Sequence, residues 1–148
     1  MSEPVIRAIA QLDKPAWESL WTAYQAFYGR TLPREVTDAT WRRLTSTGEV
    51  GGFLAVGERD SALALVHYCF HPATSTAGDN CYLPDLFVTP AARSMHLGRR
   101  LIEAVAAEAK RHGAAVVYWQ TEEFNASARR LYERIAKRSP FIRYQIEL

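Results

Sequence analysis

Leu86-Phe87-Val88-Thr89-Pro90-Ala91-Ala92-Arg93-Ser94-Met95-His96-Leu97-Gly98-Arg99-Arg100-Leu101 reads as a strand that passes through a short loop into the start of a helix. Pro90 stops the strand. Leu97, Leu101, Ile102, Val105 and Ala109 then recur at helical spacing as far as His112, where Gly113 supplies a C-cap. Such a junction exposes backbone N–H groups at the positive end of a helix dipole, a setting that suits a diphosphate. Arg93, with Arg99 or Arg100, can add charge-assisted contacts.

Working outward, Cys81 to Val88 is the whole of that strand, and Ala115 to Gln120 is a β-branched and aromatic strand after the helix. Strand, helix and strand in this order make a crossover, which demands parallel pairing. Upstream, Gly51 to Val56 and Ser61 to His71 flank Gly57-Glu58-Arg59-Asp60 and read as an antiparallel hairpin; Pro72 to Asn80 is a polar loop. Val5 to Ile9 can form a first strand. Asp13 can cap a following helix with Pro15 in its first turn, and that helix runs to Phe27 or Tyr28. A second helix opens near Thr37 or Asp38 and ends before Thr47-Gly48. Asn125 to Ala136 is an Arg-rich helix, and Phe141 to Ile146 alternates as a final strand. The order β-α-α-β-β-β-α-β-α-β implies an α/β fold, a mixed sheet flanked by helices on both faces, over residues 1–148 as one domain.

Length and composition agree with this, since 148 residues, 48% of them hydrophobic, suffice for one sizeable core. A net charge of +2 gives no reason to expect a nucleic-acid partner. The charge is divided: residues 1–88 sum to −3 and residues 89–148 to +5, which would suit a cationic substrate on one side and an anionic cofactor on the other. Uneven scatter of surface charge accounts for it equally well. Cys69 and Cys81 lack metal-site spacing, so reduced thiols and no metal are expected. The start, MSEPVIRAIAQLDK, has no apolar core of a signal peptide and no run is long enough to span a bilayer; a soluble cytoplasmic protein without a membrane partner is expected.

The central stretch resembles the cofactor motif of the GNAT N-acetyltransferase superfamily: Arg or Gln, two residues, Gly, one residue, then Gly or Ala, after a strand ending in Val-x-Pro. Arg93 and Gly98 take the outer positions, and His96 stands where the middle glycine is usual. A second motif resembles the helix that follows in this family, with Asn125, Ala128 and Tyr132 at the expected places. Tyr82 to Val88 and Tyr118 to Asn125 look like the branch that includes diamine acetyltransferases and the yeast histone- and polyamine-acetylating enzymes. The diamine enzymes often carry Glu where this chain has Pro84.

The resemblance implies acetyl-CoA as co-substrate. Leu86, Phe87 and Val88 would pair with the pantetheine arm; Arg93, Ser94, Met95, His96, Leu97, Gly98 and Arg99 would hold the diphosphate; Asn125, Ala128 and Tyr132 would complete the site, with Tyr132 as general acid toward the sulfur. His96 either touches a phosphate or is tolerated in a helical first turn. For the base, Asp85 ranks ahead of His71, His67, Glu122 and Glu123, although uniform alternation places Asp85 on the face of Leu83 and Phe87, and the histidines read as satisfied strand or core positions. Trp21, Tyr24, Phe27, Tyr28 and the Glu35–Asp38 region are candidates for choosing the acceptor, and also fit core packing. A small-molecule primary amine (a polyamine, an amino acid or similar) is the expected acceptor. A protein or peptide acceptor, or a non-catalytic acyl-CoA-binding module, is the alternative. The branch often forms dimers through the last strand, so a homodimer is expected.

Overall fold

The computed structural model describes residues 2–148. In chain order the elements are β1 (Val5–Ala8), α1 (Lys14–Phe27), α2 (Arg34–Arg42), β2 (Gly51–Val56), β3 (Ala62–His71), β4 (Asn80–Val88), α3 (Leu97–His112), β5 (Val117–Tyr118) and α4 (Ala126–Ile135). One sheet has the order β1-β2-β3-β4-β5, antiparallel except for the parallel pair β4 and β5, which α3 connects. The expected mixed sheet is therefore formed, and a helical layer packs on each face. No helix among the described residues is long and apolar enough to cross a membrane.

Period-two alternation along the strands divides the core in two. Leu54, Val56, Leu65 and Phe87 meet Trp17, Leu20, Trp21 and Tyr24 of α1 and Trp41 of α2. On the opposite face Ala55, Ala64, Val66, Cys81 and Leu83 meet Leu97, Leu101, Ile102, Val105 and Ala109, the helical stripe legible in the sequence. Full burial of one large apolar side chain is worth roughly 1.5–3 kcal/mol, so each stripe firmly fixes the rotation of its helix.

Several local expectations are corrected. Asp13 holds the N-cap position of α1, as expected, but its side chain makes no bond to the helix: its carboxylate accepts from both guanidinium nitrogens of Arg7 at 2.7 and 2.8 Å and from the Ala10 N–H at 2.7 Å. The Arg7 hydrogen bonds hold the Asp13 carboxyl below the usual range. Asp13→Ala is expected to cost about 2–3 kcal/mol near neutral pH by thermal denaturation, because it leaves Arg7 and a backbone donor unpaired. Because the folded-state pKa is lowered, this contribution is present above the unfolded value near pH ~4 and disappears as pH falls through the folded one. The second helix opens earlier than expected, at Arg34 directly after Pro33, where Arg34 pairs with both Glu18 and Asp38. Cys81 is buried and Cys69 only partly so; both are free thiols.

Three corrections concern the end of the chain and the site. β5 spans two residues rather than the six from Ala115 to Gln120. The final strand expected over Phe141 to Ile146 is not formed, and Phe141, Ile142, Tyr144 and Ile146 are each 75–88% exposed. A strand exists only against a partner, and the short β5 edge offers it little to pair with. Within β4 the register slips between the pairs His67–Asp85 and Cys69–Tyr82, so Leu83 and Pro84 together stand opposite Tyr68. This bulge falls at a residue with no N–H to give the ladder. It reverses the phase of β4: Leu83 joins the α3 core, whereas Asp85 and Phe87 face α1.

Candidate active site

Among the described residues β4 and β5 pair at Cys81–Val117 and Tyr82–Tyr118 alone, after which β4 continues to Val88 with no strand on that side. Leu86, Phe87 and Val88 therefore present an open backbone edge, able to receive an amide-bearing chain as a further strand would be received. Leu86 and Val88 turn their side chains to the α3 core and Phe87 turns to α1. Arg93 closes the end of this edge: its Nε donates to the Val88 carbonyl at 3.4 Å and its guanidinium lies 5.2 Å from the Phe27 ring centroid.

Beyond Val88 a 3-10 turn over Pro90–Met95 carries Arg93, Ser94 and Met95 on the surface and leads into α3. The first intrahelical donor is the N–H of Arg100 to His96, which leaves the N–H groups of Leu97, Gly98 and Arg99 without helical acceptors. These donors fit the diphosphate of a coenzyme A moiety, and the open β4 edge fits its pantetheine amides. A Cβ added at Gly98 would meet Leu131 at 3.7 Å and Leu86 and Val88 at 4.0 Å, ordinary contacts that explain why Gly or Ala suits this position. Arg99 is drawn along α3 by Glu103 at 2.9 Å, and Arg100 lies near Glu3. Cationic groups that sequence reading missed come from α4, where Arg130 and Arg134, with Ser127 and Leu131, line a shallow groove of about 360 Å³.

His96 does not sit in a helical turn. It is the N-cap residue of α3, with φ +57° and ψ +26°. That left-handed conformation costs a non-glycine residue about 1–2 kcal/mol and accounts for the glycine usual here. Histidine tolerates it better than a β-branched residue does. Hence His96→Val is expected to lower stability by a further ~1 kcal/mol or more in a thermal melt, and His96→Gly to leave it level or raise it.

Asn125 is the N-cap of α4. Its Oδ1 accepts from the N–H of the half-buried Ala128 at 3.3 Å and its Nδ2 donates to Thr121 at 3.4 Å. This cap fixes the start of the helix that carries Tyr132 two turns later, where the phenol ring meets Trp119 edge-on at 5.5 Å. Burial, and secondarily the neighbouring Tyr28, pushes the Tyr132 phenol up to about 12, so at neutral pH it holds a proton it can give.

On the α1 side, Trp21 is packed inside against Trp17, Tyr24 and His67, whereas Tyr28 reaches the surface. Tyr24 lies between Tyr28 and Phe87, at 5.3 and 5.8 Å. Burial first and the nearby Asp85 second push the Tyr24 phenol well up. Tyr28 is pushed up by burial and then by Glu122, with Arg30, 5.4 Å from its ring centroid, acting the other way. Asp85, Arg30 and Glu122 thus border one pair of tyrosines. Arg30 carried no motif signal, and its position follows only from how α1 ends.

A model of the acetyltransferase (GNAT) family matches residues 7–136. The chain belongs to this family. As a GNAT enzyme it is an acetyl-CoA-dependent N-acetyltransferase. It is 35% identical to the D-amino-acid N-acetyltransferase HPA3 of Saccharomyces cerevisiae, over 95% of this chain and 89% of that protein. Its fold is similar to the ribosomal-protein-alanine N-acetyltransferase of Brucella melitensis (TM-score 0.82, 18% identity, 98% of this chain and 99% of that one). It is also similar to the aminoglycoside acetyltransferase AAC(6')-Iy bound to a CoA bisubstrate analogue (TM-score 0.80, 16% identity, 98% and 100%).

Proposed function

We propose that this N-acetyltransferase modifies the primary amine of a small molecule, with free amino acids as the acceptor class, by direct attack of the amine on the thioester. The observation that carries this reading is the grouping of opposite charges at the end of α1, with Asp85 beside Tyr24 and Arg30 beside Tyr28. A carboxylate and a guanidinium at one mouth match the ammonium and carboxylate of one amino acid, and the aromatic rings favour a cation between them. Among the described residues Arg30 forms no ion pair, so its donors are free for a ligand. The yeast relative, a D-amino-acid N-acetyltransferase, supports the same class.

Acetyl-CoA, when bound, supplies an activated acetyl group and departs as free coenzyme A. The residues of this chain move the protons and hold the partners. Asp85 takes a proton from the ammonium, directly or through water, and leaves a neutral nitrogen. Backbone N–H groups on the open edge at Leu86 to Val88 polarise the carbonyl. Tyr132 gives its proton to the sulfur as the C–N bond forms and the C–S bond breaks, and the nitrogen releases its second proton to water; solvent then takes the proton held by Asp85 and returns one to Tyr132. An acetyl-CoA-dependent thiol-release screen over D- and L-amino acids, their amides, polyamines, aminoglycosides and peptides tests the assignment. Release with free amino acids and a marked loss with their amides is expected. Turnover confined to peptides or polyamines would overturn it.

We also propose a homodimer built on the C-terminal segment. Ile142, Tyr144, Ile146 and Leu148 alternate with Arg143, Gln145 and Glu147, the pattern of an amphipathic strand that pairs with no sheet among the described residues. β5 is an edge strand, and a second copy supplies both an edge and a tail, so two such additions close on a two-fold axis. Sedimentation should give a dimer for the full chain and a monomer for a chain ending at Pro140. A monomeric full chain at micromolar concentration argues decisively against it.

A further inference from the structure

Beneath Asp85 lies a hydrogen-bonded series that the reaction as described leaves unused. The Trp17 indole Nε1–H donates to His67 Nε2 at 3.0 Å, and His67 Nδ1 stands 3.0 Å from Asp85 Oδ2. An indole N–H can only donate, so Nε2 must accept. In a neutral ring the proton therefore sits on Nδ1 and is given to Asp85. Trp17 is fully buried and His67 is 1% exposed, so no solvent molecule competes for either nitrogen.

The surroundings are shaped for this ring. His67 stands directly across from Asp85 on β4 and from Gly52 on β2. A Cβ at Gly52 would meet Ile9 Cδ1 at 2.6 Å, the Val66 carbonyl oxygen at 3.0 Å and His67 Cδ2 at 3.2 Å, so a glycine there keeps a crowded place open, the edge of the imidazole included. The Trp21 ring covers it at a centroid distance of 5.3 Å. The bulge at Pro84 is what turns Asp85 to this face at all.

We propose that His67 is a positioning residue for acetyl transfer, held by Trp17 in the tautomer that donates from Nδ1, and that it fixes one oxygen of Asp85 while the other faces the amine. This rests on the reading of Asp85 as the base. The arrangement resembles in logic a base oriented by a third group: without His67 the carboxylate keeps only the Tyr24 hydroxyl beside it to hold its rotamer, and misplacement by about 1 Å can cost on the order of 100-fold in rate.

The two amide replacements of His67 separate positioning from packing. Asparagine carries its N–H₂ near the place of Nδ1 and can still donate to Asp85; glutamine reaches the place of Nε2 and answers Trp17 instead. His67→Asn is expected to retain kcat within about fivefold, His67→Gln to lose at least about 30-fold, both with little change in the KM for acetyl-CoA. Equal losses in the two variants, matched for melting temperature, overturn the proposal. A long-range 1H–15N spectrum of the wild-type imidazoles is independent of folding of any variant: a protonated Nδ1 at His67 supports the proposal and a protonated Nε2 overturns it. Asp85→Asn keeps the two claims apart. If it leaves kcat intact, the base assignment fails and positioning falls with it; if kcat collapses while the two His67 amides behave alike, only the positioning role fails.

Discussion

Replacing Tyr132 with phenylalanine is expected to lower kcat by about 100- to 1,000-fold while leaving the Kd for acetyl-CoA within about twofold. The ring is held by Trp119 and by the helix that Asn125 starts, and phenylalanine keeps both of these apolar contacts. Only the proton is lost. Burial pushes the phenol to about 12, so the wild-type group stays protonated from about pH 6 to about pH 10, and the deficit of the variant should be uniform across that range. A kcat that survives the substitution would assign the leaving thiolate's proton to water.

The second large effect is expected at Asp85. Asp85→Asn preserves the shape and can still meet His67 Nδ1–H through its amide oxygen, yet it cannot take a proton from the ammonium. A fall in kcat/KM for the amine of about 100-fold or more is expected, with the acetyl-CoA KM steady, because the carboxylate lies on the α1 side of β4, away from the α3 start. The deficit should shrink when the amine is assayed at alkaline pH, where more of it is already neutral. A deficit constant with pH would mean that Asp85 binds the ammonium and does not deprotonate it.

Much of the fold was legible along the chain. The apolar stripe Leu97, Leu101, Ile102, Val105 and Ala109 settled α3 and all five are buried, since a stripe at helical spacing has one way to bury itself. The hairpin around Gly57–Asp60 and the Gly113 cap followed equally from local chemistry. Asn125 and Tyr132 were visible as motif positions because the cap and the phenol lie on one helix, where sequence spacing is spatial spacing. Arg30, Arg130 and Arg134 were passed over because a surface arginine looks the same in sequence whether it faces a cleft or open water.

The sequence alone determined the order of elements from β1 to α4, the strand-loop-helix junction from Leu86 to Arg100, and the residue that caps α4, all of which depend on neighbours a few positions away. Tertiary structure decided the rest. The slip at Pro84 turned Asp85 from the side of Leu83 to that of Trp17 and His67, and a one-residue slip exchanges the two faces of a strand. The left-handed conformation at His96 is set by its place as the single residue joining the Pro90–Met95 turn to α3, not by the preference of histidine. The Phe141 to Ile146 segment has the alternation of a strand and none of its pairing, because alternation is written in one chain and a ladder needs two.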